Sequence, residues 1–217
     1  MRTAADHLVH ITAGSIRLEG NLEIPDRANG IVVFAHGSGS SRHSPRNRFV
    51  AEELQRRGLA TLLMDLLTTD EEAIDMHTRH LRFDIGLLAN RLRQTANWLE
   101  HQADTRGLKL GFFGASTGAA AALVAASELG ERTAAVVSRG GRPDLAGAAL
   151  EHVTAPTLLV VGGEDVPVIS LNRQAYARLQ CEKRLEIIPG ATHLFEEPGT
   201  LEEAAKLAAD WFAQFLA

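Results

Sequence analysis

The stretch Leu108-Lys109-Leu110-Gly111-Phe112-Phe113-Gly114-Ala115-Ser116-Thr117-Gly118-Ala119 decides how the rest of the chain is read. An apolar, β-prone run from Leu108 to Phe113 leads into Gly114-Ala115-Ser116-Thr117-Gly118, and an alanine-rich, helix-prone run follows at once. A G-x-S-x-G pentapeptide between strand and helix makes a sharp, strained turn. It holds a serine hydroxyl clear of the backbone and places glycines where a side chain would collide with neighbouring segments. Ser116 is therefore the first candidate nucleophile.

On the N-terminal side, Leu8 to Ile11 and Ser15 to Ile24 flank the Ala13-Gly14 turn, and Ile16, Leu18, Leu22 and Ile24 alternate on one face, which predicts an antiparallel hairpin. Ile31 to Ala35 and Leu59 to Leu66 are continuous apolar runs of the kind found in strands buried on both faces. Between them Ser44-Pro45 reads as N-cap and first helical residue, and Gly58 as the stop. Residues 67 to 80 are polar and read as a loop or short solvated helix, and a helix begins near Asp84.

On the C-terminal side, strands are expected over 133–137, 157–161 and 184–188, with helices over 144–151 and 170–179. The last helix starts where Thr200 and Glu203 are spaced as a capping box. Alternating strands and helices after a hairpin imply an α/β fold: a mostly parallel sheet with helices on both faces, residues 1–217 forming a single domain.

The balance of residues narrows the function. The chain has 217 residues, 45% of them hydrophobic, enough for a substantial core. Its net charge of -5 speaks against nucleic acid or an anionic membrane surface as partner and for a small molecule, with the chain a monomer or small homo-oligomer. No apolar h-region follows the N-terminal charge and no apolar run is long enough to span a bilayer, so a cytoplasmic location is expected. The single cysteine, Cys181, excludes an internal disulfide framework, and its polar neighbours give it no positioned base.

Open α/β sheets bind ligands beyond the carboxyl ends of their strands. Ser116, Asp165 and His193 each follow a predicted strand and can meet on that edge. A serine hydroxyl needs a base to take its proton, which His193 can do; a carboxylate must fix the imidazole tautomer, which falls to Asp165, with Glu164 the alternative. Attack creates an oxyanion, for which the Thr117 amide and the Ser38 amide, in His36-Gly37-Ser38-Gly39, are the expected donors. His36, beside Gly37, is expected to position the loop backbone. His77 and His80, with Asp75 and Glu72 nearby, read as a solvated face and not as a metal site.

In the His36-Gly37-Ser38-Gly39 loop, the Ser116 elbow, Asp165 after a Gly-Gly strand end and His193 before the terminal helix, the chain resembles the α/β-hydrolases, specifically the small dienelactone hydrolase-like group. The resemblance runs from about residue 30 to the C-terminus. It implies ester, thioester or lactone hydrolysis through an acyl-enzyme, with no metal and no organic cofactor. Dienelactone hydrolases proper carry cysteine at the elbow, so Ser116 favours a carboxylesterase over the namesake lactone. With only residues 139 to 156 between two strands there is no room for a cap domain, and an open pocket is expected. Arg42, His43, Arg46, Arg139 and Arg142 lie near the expected site and are candidates for binding an acidic substrate group.

Two other functions compete. The 37–42 Gly-Ser loop could cradle a dinucleotide or phosphate, although Arg42 stands where G-x-G-x-x-G needs its third glycine. A hydrolase fold could also bind a partner without turnover.

Overall fold

The computed structural model describes residues 7–217. Among them, strands β1 (His7–Ala13) and β2 (Ile16–Glu23) form the expected hairpin, with Ile11 facing Leu18. β3 (Gly30–Ala35), β4 (Ala60–Met64), β5 (Lys109–Ala115), β6 (Thr133–Arg139), β7 (Thr157–Gly162) and β8 (Lys183–Ile188) complete one sheet in the order β1-β2-β4-β3-β5-β6-β7-β8. β2 joins β4 antiparallel and every later pairing is parallel. β3, β4 and β7 are buried at every position, as their unbroken apolar sequences require.

Six α-helices cover the sheet: α1 (Pro45–Arg56), α2 (Thr69–Thr78), α3 (Ile85–Glu100), α4 (Thr117–Leu129), α5 (Val166–Arg178) and α6 (Thr200–Leu216). The alanine face of α4 packs with α3 on one side of the sheet, where Leu88, Leu92, Phe112 and Leu123 close a core. α1 and α6 cover the other side around Phe34, Phe113, Leu54 and Phe212. The Phe34 and Phe113 rings lie 4.9 Å apart, and each large side chain so buried contributes about 1.5–3 kcal/mol. The sheet is thereby clamped from both faces, and the loops at its carboxyl edge sit on a rigid base.

Local signals decide the helix ends. Ser44 caps α1 by accepting from the Asn47 amide, and Pro45 opens it. Thr200 and Glu203 do not form the expected box. Gly199, in the left-handed region at φ 84°, is the N-cap, and the Thr200 hydroxyl donates back to the Glu197 carbonyl instead of accepting from the helix. The expected helix over 144–151 is a 3-10 segment, Pro143–His152, broken at Gly147. Residues 67 to 80 hold a true helix, α2, closed by a complete capping box between Thr68 and Glu71.

Candidate active site

β5 ends directly in Ser116, whose backbone sits at φ 50°, ψ −122°, a conformation costing about 1–3 kcal/mol for a residue with a side chain. Two close approaches hold it there. A Cβ on Gly118 would lie 2.2 Å from the Ala35 carbonyl oxygen, and one on Gly114 would lie 2.4 Å from the Ala119 Cα, so strand, turn and α4 fit only with glycine at both positions. The Ser116 amide donates to the Arg139 carbonyl at the end of β6, and its carbonyl accepts from the amides of Ala119 and Arg142. The turn is thus bonded to the neighbouring strand end as well as to its own helix.

Asp165 and His193 arrive from β7 and β8. The His193 Nδ1 lies 2.6 Å from the Asp165 Oδ2, and the carboxylate side chain is 12% exposed against 39% for the imidazole. That bond places the proton on Nδ1 and leaves Nε2 as an acceptor. Gly140 links the serine side to the histidine side: it follows Arg139, whose carbonyl holds the Ser116 amide, and a Cβ on it would meet the His193 carbonyl at 3.0 Å. Phe195, two residues beyond His193, is buried at a positive φ of 56° and braces the loop.

The β3–α1 loop runs alongside. A Cβ on Gly37 would lie 3.1 Å from the Ser116 Cβ, so the loop touches the elbow. His36 donates through Nδ1 to the Gly37 carbonyl and accepts through Nε2 from the Leu66 amide, which fixes the loop to the end of β4. Burial pushes its pKa below the ordinary histidine value, against weaker opposite pulls from the Gly37 carbonyl and Asp65, and keeps the ring neutral in this role. The Thr117 amide, first in α4, has no partner among the described residues and lies at the positive end of the helix dipole. The Ser38 amide is occupied: it donates to the Thr117 Oγ1 at 3.1 Å, while the two hydroxyls lie 2.8 Å apart and the Ser38 Oγ donates to the Arg82 carbonyl. The Ser40 and Arg42 amides also bond internally, to the Gly37 carbonyl and Asp65, which leaves the loop poorly suited to cradle a phosphate.

Beside Ser38 and Thr117 opens a cavity of about 730 Å³. Its floor includes Leu66, Leu67 and Leu88, and its outer wall is α2 with the short 3-10 turn Leu81–Phe83. Sequence reasoning missed this wall. Asp75, expected on a solvated face, is buried and accepts from the Leu81 and Arg82 amides and from the Arg82 side chain. Burial alone would raise its carboxyl, but those bonds together bring it below the usual range. His77 and His80 bond to Ala73 and Thr78 on the outside. A Thr-x-x-Glu pattern at 68–71 was the available signal for the helix; nothing in the pattern pointed to Arg82.

The candidate acid-binding residues do not gather on the cavity. Arg42 is tied to Asp65, Glu19 and Asn21, Arg46 to Glu196, and Arg142 to both oxygens of Asp144. Arg139 is buried between the Phe113 and Phe195 rings with one bond to Asn47; burial, with a smaller push from Arg46, lowers its pKa to about 10. Of the five, His43 alone reaches the cavity wall. Cys181 lies far along the chain in the β8 approach, its thiol pushed up by burial, which removes thiolate character.

A mostly parallel sheet with an antiparallel pair at its N-terminal edge and a serine elbow leaving the central strand β5 defines an α/β-hydrolase fold. The chain belongs to the dienelactone hydrolase family, whose match covers residues 18–217. It is similar to a dienelactone hydrolase from Anabaena variabilis, with 63% identity, a TM-score of 0.97 and 99% of each chain covered. Est1E from Butyrivibrio proteoclasticus shares the fold at 16% identity, with a TM-score of 0.79 over 95% of this chain and 98% of its own. A Mycobacterium tuberculosis protein provisionally named a phosphoribosyl transferase is 57% identical over 97% of this chain but only 47% of its own length, so the chain spans about half of that relative.

Proposed function

We propose that the protein is a serine carboxylic-ester hydrolase. The Ser116 Oγ attacks the ester carbonyl while the His193 Nε2 takes its proton, and Asp165 stabilises the imidazolium through Nδ1. The proton then passes to the leaving alkoxide, giving alcohol and acyl-Ser116. Water, activated by the same imidazole, releases the acid and restores the serine. The Thr117 amide stabilises the oxyanion from the outset, and the carbonyl oxygen takes the Ser38 amide from the Thr117 hydroxyl; each donor is typically worth about 2.7–4 kcal/mol in the transition state. The observation that carries this reading is the 2.6 Å bond between His193 and Asp165 on the same sheet edge as the strained serine. The family relationship and serine in place of the cysteine of dienelactone hydrolases proper favour simple esters as substrates.

No transferase step is assigned to this chain. The relative carrying that name has more than half its length outside the match, and the cavity here has no free cationic cluster for a diphosphate among the described residues. A fluorophosphonate probe tests the hydrolase reading. Labelling is expected at Ser116, absent in Ser116→Ala and slowed by about 10³-fold or more in His193→Ala. Ester turnover that survives Ser116→Ala overturns it.

A further inference from the structure

The cavity beside the elbow carries an uneven set of charges. The arginines that could attract an anion are spent on carboxylates elsewhere or buried behind the site, as described above. Arg82, the one arginine on the wall, gives its Nε to the buried Asp75 carboxylate and an Nη2 to the Asp75 carbonyl. The Glu72 carboxylate, one turn before Asp75 on α2, has no hydrogen bond or ion pair among the described residues. Glu72 is exposed, but partial desolvation and the nearby Asp65 carboxylate hold its pKa above the usual range, against weaker pulls from Arg82 and Arg42. Among the carboxylates and arginines on this wall Asp75 and Arg82 pair with each other, so Glu72 is the excess charge and an entering anion meets a wall that is negative on balance.

What the wall does offer is uncharged hydrogen bonding. The Ser40 and Thr69 hydroxyls line the cavity and have no partners among the described residues, and the His43 imidazole stands beside them. Leu66, Leu67 and Leu88 line the same cavity, so it offers a bound group apolar surface as well as donors and acceptors. A hydroxyl can donate to Glu72 and accept from Ser40 or Thr69; a carboxylate cannot donate to Glu72 and is repelled by it.

From this arrangement we propose that the cavity selects esters whose distal group is uncharged and hydroxyl-bearing, in the manner of a polyol or hydroxyalkyl chain, and discriminates against carboxylate- or phosphate-bearing ones, with Glu72 as the specificity-determining residue. This rests on the hydrolase reading above. It reverses the expectation that the nearby arginines recognise an acidic substrate.

The test compares esters of equal length ending in a hydroxyl or a carboxylate, in two series with the varied end on the acyl or the alcohol side, together with a short neutral acetate ester. In at least one series kcat/KM should favour the hydroxyl end by about tenfold or more, the discrimination expected from a like charge at short range near the surface. Glu72→Lys should reduce that ratio by about tenfold or invert it, and Glu72→Gln should move it in the same direction by less. Equal or better use of the carboxylate in both series overturns the proposal, as does a preference that Glu72→Lys leaves intact. Failure to turn over the acetate ester at all would instead overturn the hydrolase reading, and this proposal with it.

Discussion

The serine elbow, which borders the cavity through Thr117, and the α2 wall are built by opposite means. The elbow is fixed by volume: Gly114 and Gly118 admit backbone where any side chain would collide, and α4 behind it is buried at ten positions. The wall is fixed by polar bonds: Asp75 is the one buried residue of α2, while Ile74 and Met76 are exposed, and the segment holds together through Asp75, Arg82 and the Thr68–Glu71 box. Close packing tolerates little movement, whereas a few hydrogen bonds can be exchanged for others at small cost. The proposed function uses this difference: chemistry that needs sub-ångström alignment would sit on the first kind of region, and recognition that can vary on the second.

Three substitutions probe this contrast, taken from the largest expected effect. Asp165→Asn leaves the packed edge intact but removes the charge that supports the imidazolium, so kcat should fall by about 10⁴-fold with circular dichroism and melting temperature nearly unchanged. A fall of less than tenfold would show that the edge does not work through this pair. Gly118→Ala forces a methyl against the Ala35 carbonyl and should cost about 1–3 kcal/mol or more in denaturant unfolding. If stability were unaffected, the elbow would be far more plastic than its close approaches indicate. Asp75→Asn, the mildest, removes the carboxylate that gathers Leu81 and Arg82. Amide exchange should then quicken by about tenfold across residues 68–83, while α4 keeps its protection. Equal quickening in α4 would erase the distinction between the two regions.

The same contrast explains how much could be read from sequence. Strands such as Ile31 to Ala35 and the G-x-S-x-G turn announce themselves because apolar runs and obligatory glycines leave few alternatives. The strand-end rule then singled out Ser116, Asp165 and His193, of which the structure brings Asp165 and His193 into hydrogen-bond contact and holds Ser116 in a strained turn. The wall was illegible for the converse reason: α2 has no apolar stripe, and the inward turn of Asp75 depends on amides at Leu81 and Arg82 that no periodicity encodes. Thr200 misled because its hydroxyl satisfied the Glu197 carbonyl, a choice made by the Gly199 turn and invisible in residue spacing. The arginines misled in the same way, since proximity in sequence says nothing of which carboxylate each one meets.

One small group of atoms spans both regions. The Ser38 hydroxyl has a single hydrogen and spends it on the Arg82 carbonyl, so in its 2.8 Å contact with Thr117 the threonine must be the donor. If, as proposed, a substrate carbonyl oxygen takes the Ser38 amide, Thr117 loses an incoming hydrogen but still delivers its own. No buried hydrogen is stranded by the exchange, and the site passes from rest to readiness at the expense of one ordinary acceptor contact, about 0.5–1.5 kcal/mol. In the proposed mechanism, the direction of a single O–H bond, anchored on the Arg82 carbonyl, sets how cheaply the sheet edge can open a place for a substrate oxygen.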